Sequence, residues 1–150
     1  MSRKRNSNWQ SRQASDPFVR RAESDGYRSR AVYKLDEIAR RERFLKAGMY
    51  CVDLGASPGG WCQYVLRTLD DKVHLCALDL LPMEPLPGVQ FIQGDFTEDA
   101  ALQQLDDMLG DRKVDLVMSD MAPNLSGNKS VDQPRSMYLA ELALDFARQR

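Results

Sequence analysis

The chain has 150 residues, 43% of them hydrophobic and 29% charged, with a net charge of -1, values typical of one soluble globular domain that we expect to be monomeric. No stretch approaches the roughly 18 uninterrupted apolar residues of a membrane-spanning helix, and the opening MSRKRNSNWQSRQ lacks the apolar middle of a signal peptide, so we expect a cytoplasmic protein with no membrane partner. Cys51, Cys62 and Cys76 form no C-x-x-C pair, which argues against a disulfide framework or a zinc site, and no other metal cluster is visible.

The N-terminal third is basic and the rest is acidic. Residues 1–46 hold 13 Lys and Arg against 6 Asp and Glu, whereas residues 47–150 hold 8 against 16. This asymmetry predicts that residues 16–46 face a polyanion while residues 47–150 form a separate α/β core. For residues 1–15 a flexible, solvated basic tail is an equally good interpretation.

Two helices are predicted before the core. Pro17 at a helix start leads into a short helix that Gly26 stops, and Ser29 is placed to cap a second helix over residues 30–44. Lys34 lies at the margin of the apolar face of that second helix. The apolar residues that recur there at helical spacing are Ala31, Leu35, Ile38 and Ala39.

After Gly48, short apolar runs alternate with helical stretches, which is typical of βαβ units on a mostly parallel, doubly wound sheet. The predicted strands are 49–55, 73–80, 89–95 and 114–120, with helices near 59–69 and 98–109. The final segment, QPRSMYLAELALDFARQR, predicts an amphipathic helix without a partner. Because four strands would leave a long unpaired apolar edge, we expect the core to be truncated, with further strands after residue 150.

An acidic residue stands at or near the end of each predicted strand. One such residue is usually a helix cap or a solvated loop residue, but parallel strands bring their carboxyl ends to a single edge, where ligands bind. The repetition therefore predicts a binding site at this edge. The four residues are Asp53, Asp79, Asp95 and Asp120.

The segment D-L-G-A-S-P-G-G-W, residues 53–61, joins the first strand to a helix and is the strongest local signal. Its glycines permit tight turning and close approach of the backbone to a ligand, and their spacing differs from the dinucleotide pattern G-x-G-x-x-G. Asp79 is placed to accept the hydroxyls of a ribose, which a dinucleotide and S-adenosylmethionine would both supply. Asp95 would lie at the adenine end, with Phe96 either covering the base or packed in the core. Asp120 could face a sulfonium charge.

Several blocks in the same order resemble the FtsJ-type ribosomal RNA methyltransferases. They are R-S-R-A-V-Y-K-L-D-E-I, the glycine segment, D-L-L-P-M, V-Q-F-I-Q-G-D-F, V-M-S-D-M-A-P-N-L-S-G and P-R-S-M-Y-L-A-E-L-A-L, and they span residues 28–147. The resemblance implies a Rossmann-like class I methyltransferase fold with S-adenosylmethionine as cofactor. By it, the cofactor-contact positions are Gly59, Trp61, Asp79, Asp95 and Asp120, and two catalytic positions are Lys34 and Asp120. The family's second catalytic Lys and its Glu would follow residue 150.

The implied reaction is methyl transfer to a ribose 2'-hydroxyl, of uridine by the resemblance, in large-subunit ribosomal RNA during ribosome biogenesis. We cast Lys34 as orienting and polarising the hydroxyl and Asp120 as holding Lys34. One alternative is a catalytically incomplete factor that binds ribosomal RNA or the large subunit on the same fold. A second, a nucleotide-dependent dehydrogenase, fits the glycine spacing poorly. The basic residues expected to contact RNA phosphates are Arg3, Lys4, Arg5, Arg12, Arg20, Arg21, Arg28 and Arg30.

Overall fold

The computed structural model describes residues 16–119, which form a parallel four-stranded sheet with helices on both faces. The elements in chain order are α1 (Pro17–Asp25), α2 (Val32–Glu42), β1 (Tyr50–Leu54), α3 (Gly60–Thr68), β2 (His74–Asp79), β3 (Val89–Gln93), α4 (Asp99–Leu109) and β4 (Leu116–Ser119). The four predicted strands are confirmed, and so are the helices predicted between β1 and β2 and between β3 and β4.

The first two helices begin and end much as their sequences indicate. The carboxylate of Asp16 caps α1 by accepting the amide of Phe18 at 2.8 Å, Pro17 fills the first turn, and Gly26 ends the helix with φ +79°. Ser29 does not cap α2 directly. Its hydroxyl accepts the amide of Ala31 at 3.1 Å and so caps the turn that precedes the helix.

The strands lie in the order β3-β2-β1-β4, and every neighbouring pair is parallel. The chain moves outward in one direction from β1 to β3, then returns across the sheet through α4 to place β4 on the other side of β1. The strand order therefore reverses between β1 and β4. In open α/β sheets the crevice at such a reversal is the usual ligand site. The predicted doubly wound fold is confirmed.

Alternate residues of each strand supply two separate cores. One face packs against α2 and α3, where Leu35 and Val65 are buried, and the other packs against α4, where Leu105 is buried. Because both faces are covered, the central strands are mainly apolar, as expected for a parallel sheet, and Asp53 is the buried charged residue among them. The three cysteines are reduced and buried within these cores.

β1 and β2 are one residue shorter than predicted at each end, β3 ends two residues earlier than predicted, and β4 begins two residues later. At the start of β4 the side chain of Asp115 accepts the amide of Tyr50 at 2.9 Å, so a carboxylate takes the place of a ladder bond there. In residues 16–119 no helix has the length and apolar character needed to cross a bilayer, and no cluster of His, Cys, Asp or Glu is arranged to hold a metal ion.

Candidate functional site

The connection from β1 to α3 lies at the carboxyl edge of the sheet and turns tightly. The amides of Gly55 and Ala56 both donate to the carbonyl of Leu78 on β2, at 2.8 and 3.2 Å. Gly59 adopts φ +112°, and a Cβ there would lie 3.2 Å from both Arg28 Nη1 and Met83 Sδ. A glycine is therefore required at position 59 by backbone conformation and by space.

Asp79 ends β2 and meets this glycine loop directly. Its Oδ2 accepts the amide of Ser57 at 2.8 Å, and its Oδ1 accepts the amide of Leu81 at 2.9 Å. A carboxylate can accept about four hydrogen bonds, so the bonds made by residues 16–119 leave acceptor capacity on Asp79 for a ligand. The structure thus joins Asp79 to the loop that the sequence singled out, which the spacing alone did not establish.

Asp95 follows β3 on the same edge, next to Asp79. Gly94, the preceding residue, donates its amide to the Asp79 carbonyl at 2.9 Å. The hydroxyl and the amide of Thr97 both donate to Asp95 Oδ1, at 2.6 and 2.9 Å, and these bonds lower the pKa of the carboxyl. Asp95 is therefore ionised at neutral pH, and the described residues place both bonds on Oδ1, leaving Oδ2 available.

Two residues expected at the open edge are buried. Phe96 is 4% exposed and packs beside α4, so the core interpretation holds and its role in covering a base is wrong. Asp53 is 1% exposed, and the thiol of Cys62 donates to its Oδ2 at 3.3 Å. Burial and the Asp53 charge raise the pKa of Cys62, which keeps the thiol protonated as a donor. Asp53 is therefore bonded to α3 inside the core instead of lying at the open edge.

Trp61 and Lys34 lie where α2 and α3 begin. The indole N–H of Trp61 donates to the Ala31 carbonyl at 2.9 Å, so the start of α2 lies beside the start of α3 at the carboxyl edge. Lys34 is exposed, about one turn further along α2. Its position near the edge is compatible with the predicted role, and Trp61 serves at least to hold the two helices together.

The turn between α1 and α2 packs on the glycine loop, which sequence reasoning missed. The side chain of Ser29 lies so close to Gly60 that a Cβ on Gly60 would be 3.1 Å from it. The guanidinium of Arg28 donates to backbone carbonyls instead of pointing outward as a phosphate contact. The R-S-R block was the sequence signal for this turn. Its arginines were interpreted as contacts to RNA phosphates, whereas Arg28 donates to backbone carbonyls of the protein.

Two other arginines assigned to phosphates also have internal partners. Arg30 pairs with Asp16 and covers the Phe18 ring, and Arg21 lies over the Tyr33 ring, 4.4 Å from its centroid. These contacts hold α1 against α2. Arg20, also assigned to a phosphate, is exposed on α1, whereas Arg3, Lys4, Arg5 and Arg12 lie in the first 15 residues, outside the described range.

Asp120, predicted for both cofactor and catalytic roles, also lies outside the described residues. The residue before it, Ser119, ends β4 in register with Leu54, directly before Gly55. The described part of β4 thus ends beside the glycine loop, at the point where the strand order reverses.

The family described as FtsJ-like methyltransferase matches residues 27–150, most of the chain. The chain belongs to the FtsJ-like methyltransferase family. Methyl transfer requires a methyl donor, so the family implies a donor site.

Similar proteins agree with this assignment. A protein named ribosomal RNA large subunit methyltransferase E from Stenotrophomonas maltophilia strain K279a is 59% identical over 139 residues, covering 93% of this chain and 66% of its own length. One of the same name from Alkalilimnicola ehrlichii is 60% identical over 141 residues, covering 94% and 68%. The crystal structure of a ribosomal RNA methyltransferase from Plasmodium falciparum, 36% identical, superposes with a TM-score of 0.76 over 82% of this chain and 71% of that one. The chain spans about two thirds of the length of the curated relatives.

Proposed function

We propose that this protein transfers a methyl group from S-adenosylmethionine to a ribose 2'-hydroxyl of large-subunit ribosomal RNA, in the cytoplasm. The observation that carries the proposal is the Asp79 carboxylate bonded to the glycine loop beside the reversal of strand order. The family supplies the reaction class, and the relatives named as ribosomal RNA large subunit methyltransferases suggest the acceptor.

The described residues fit such a donor. Asp79 retains acceptor capacity for two ribose hydroxyls, and Asp95 Oδ2 is available for the adenine end. Gly59 lets the backbone approach closely, and Trp61 lies at the start of α3 beside it. S-adenosylmethionine, when bound, supplies a methyl group on a positively charged sulfonium.

The acceptor hydroxyl needs orientation and a route for its proton, because a neutral ribose hydroxyl is a weak nucleophile. An exposed ammonium at Lys34, near the carboxyl edge, would orient the hydroxyl and favour its alkoxide character. Asp120 follows β4 in the sequence. We propose that it contacts the methyl donor and holds Lys34 in position.

The proposal is tested first by calorimetric titration of S-adenosylmethionine into the 150-residue chain and into Asp79→Ala. The unsubstituted chain should bind one donor, and Asp79→Ala should weaken binding by about a hundredfold or more, since two charge-assisted hydrogen bonds are lost. Asp111→Ala is the matched control, because this exposed aspartate follows α4 at the opposite edge of the sheet.

Loss of binding in Asp79→Ala alone would support the donor site. If the folded unsubstituted chain bound no donor, or if both variants bound it equally well, the assignment of Asp79 and the glycine loop would fail. Thermal unfolding of all three proteins checks that each is folded.

A further inference from the structure

The guanidinium of Arg28 lies between two loops at the carboxyl edge of the sheet. Its Nη1 donates to the carbonyl of Pro58 at 3.2 Å and to that of Glu84 at 2.8 Å, and its Nη2 donates to the carbonyl of Pro85 at 3.1 Å. Pro58 belongs to the glycine loop, whereas Glu84 and Pro85 belong to the loop between β2 and β3. One side chain therefore connects both loops.

These contacts commit most of the Arg28 guanidinium to the protein backbone. Three of its five N–H groups donate to backbone oxygens, two from Nη1 and one from Nη2. A Cβ on Gly59 would lie 3.2 Å from Nη1 and 3.5 Å from Cδ, so the side chain lies against the glycine loop along its length. The planar fork of arginine suits several carbonyls at fixed positions better than a lysine ammonium would.

The loop from 80 to 88 depends on such contacts for its position. It has no helix or strand, and the prolines at 82, 85 and 87 remove backbone donors that could anchor it. Besides Arg28, the Ser57 hydroxyl donates to the Pro82 carbonyl at 2.9 Å, and Met83 lies against Gly59. The loop begins immediately after Asp79, so its position determines how Asp79 and the glycine loop face one another.

Arg28 also belongs to the turn between α1 and α2. Its own amide donates to Gln63 Oε1 on α3 at 2.8 Å, and the Gln63 amide group donates back to the Gly26 carbonyl at 3.3 Å. These bonds fix the turn to α3, the helix that follows the glycine loop. Arg28 thus connects the basic N-terminal segment to both the glycine loop and the β2–β3 loop.

We propose that Arg28 is a positioning residue for the methyl donor: it holds the glycine loop and the β2–β3 loop at the separation that donor binding requires. This inference rests on the proposed function. It predicts that the charge of Arg28 is insufficient and that its fork geometry is needed, even when no RNA is present.

The test is calorimetric titration of S-adenosylmethionine, without RNA, into the unsubstituted chain, Arg28→Lys, Arg28→Ala and Arg30→Lys. Arg28→Lys should weaken donor binding by about tenfold, equal to about 1.4 kcal/mol, and Arg28→Ala by at least as much. Arg30→Lys is the matched control, because its arginine is 55% exposed and pairs with Asp16 in the same segment. Arg28→Lys keeps charge and bulk, so the test survives if Arg28→Ala does not fold.

The stoichiometry of the titration separates positioning from folding. A merely structural role would lower the melting temperature and the fraction of chain that binds, while the folded fraction kept the original Kd. Unchanged Kd values in both Arg28 variants would overturn the proposal. So would a loss confined to RNA affinity and its salt dependence, which a phosphate contact predicts. If the unsubstituted chain bound no donor, the proposed function itself would fail, and this inference with it.

Discussion

Lys34 stands apart from the other basic residues of the N-terminal helices in its contacts. Arg21 and Arg40 each form an ion pair with an aspartate four residues away on the same helix. Arg30 forms an ion pair with Asp16. Lys34 is exposed and makes no ion pair with residues 16–119. A lysine that is not engaged in packing, one turn from the donor edge, is available to a substrate.

We predict that Lys34→Ala lowers the rate of methyl transfer to large-subunit ribosomal RNA by about a hundredfold or more, the size typical of lost acid–base assistance. Donor affinity should stay unchanged, because Lys34 is exposed on α2 and we assign it to the acceptor hydroxyl. The measurement is single-turnover transfer of a labelled methyl group. Lys46→Ala is the control, an exposed lysine before β1 at the opposite edge. Transfer at the original rate in Lys34→Ala would reduce Lys34 to a surface lysine.

The sequence predicted which acids end the strands but could not predict their exposure. Asp79 and Asp53 both follow apolar runs, yet Asp79 is half-buried at the edge and Asp53 is 1% exposed. The difference arises because α3 places Cys62 against Asp53. These residues are nine apart in the sequence, and the tight glycine turn between them brings them into contact. Phe96 shows the same limit, since its burial depends on where α4 packs.

At the scale of elements, α2 and α3 are joined through one buried hydroxyl. Tyr64 on α3 is 8% exposed and donates to Asp36 Oδ1 at 2.8 Å, and Arg40 Nε donates to the same oxygen at 2.9 Å. Burial raises the pKa of Asp36, but the hydrogen bonds from Arg40 and Tyr64 outweigh burial and leave the pKa below its ordinary value. The ionised carboxylate therefore stabilises the fold.

We predict that Tyr64→Phe lowers the free energy of unfolding by about 1.5–3 kcal/mol at neutral pH, the usual size for a hydrogen bond to a charged group. Because the folded state lowers the pKa of Asp36, its contribution is present above the unfolded value and is lost as pH falls through the folded value. The difference between Tyr64→Phe and the unsubstituted chain should therefore shrink in acid. Urea unfolding across this pH range measures it.

Tyr33→Phe is the matched control for this pair. Its hydroxyl donates to Asp25 at 2.6 Å, but that carboxylate is 43% exposed. Removing the Tyr33 hydroxyl should lower the free energy of unfolding by about 0.5 kcal/mol or less, since water can bond to the Asp25 carboxylate in its place. Equal losses in the two variants, or a Tyr64→Phe effect that does not depend on pH, would contradict the assigned role of Asp36.

Element positions were predictable to within a few residues because apolar runs and glycines punctuate this chain clearly. The predicted apolar face of α2 was partly wrong: Val32 is buried, whereas Ala31 and Ile38 are only half-buried. The helix begins two residues later than predicted, so Ala31 precedes it as the N-cap residue. Helical spacing predicts which side of a helix is apolar. Packing against the neighbouring helix decides which residues on that side are buried.

At the scale of the whole molecule, basic residues are found at both edges of the sheet. The unequal charge of the two parts of the chain was readable from the sequence, but the internal pairing of Arg21, Arg28 and Arg30 was not. Their partners are backbone carbonyls and acids supplied by the fold. The prediction of RNA binding therefore rests on the exposed Arg20 and, in the first 15 residues, on Arg3, Lys4, Arg5 and Arg12.

We predict that replacing Arg3, Lys4, Arg5 and Arg12 together by Gln reduces the slope of log affinity against log salt by up to about 3 for ribosomal RNA. Each phosphate contact that is lost removes about 0.7–0.9 from that slope. Filter binding over a series of salt concentrations measures it.

The control replaces four exposed basic residues at the opposite edge of the sheet by Gln: Lys46, Lys72, Arg112 and Lys113. That control should leave the slope unchanged while shifting the net charge equally. Equal changes in the two proteins would mean that RNA responds only to net charge, whereas no change in the first would leave the N-terminal 15 residues without a role in RNA binding.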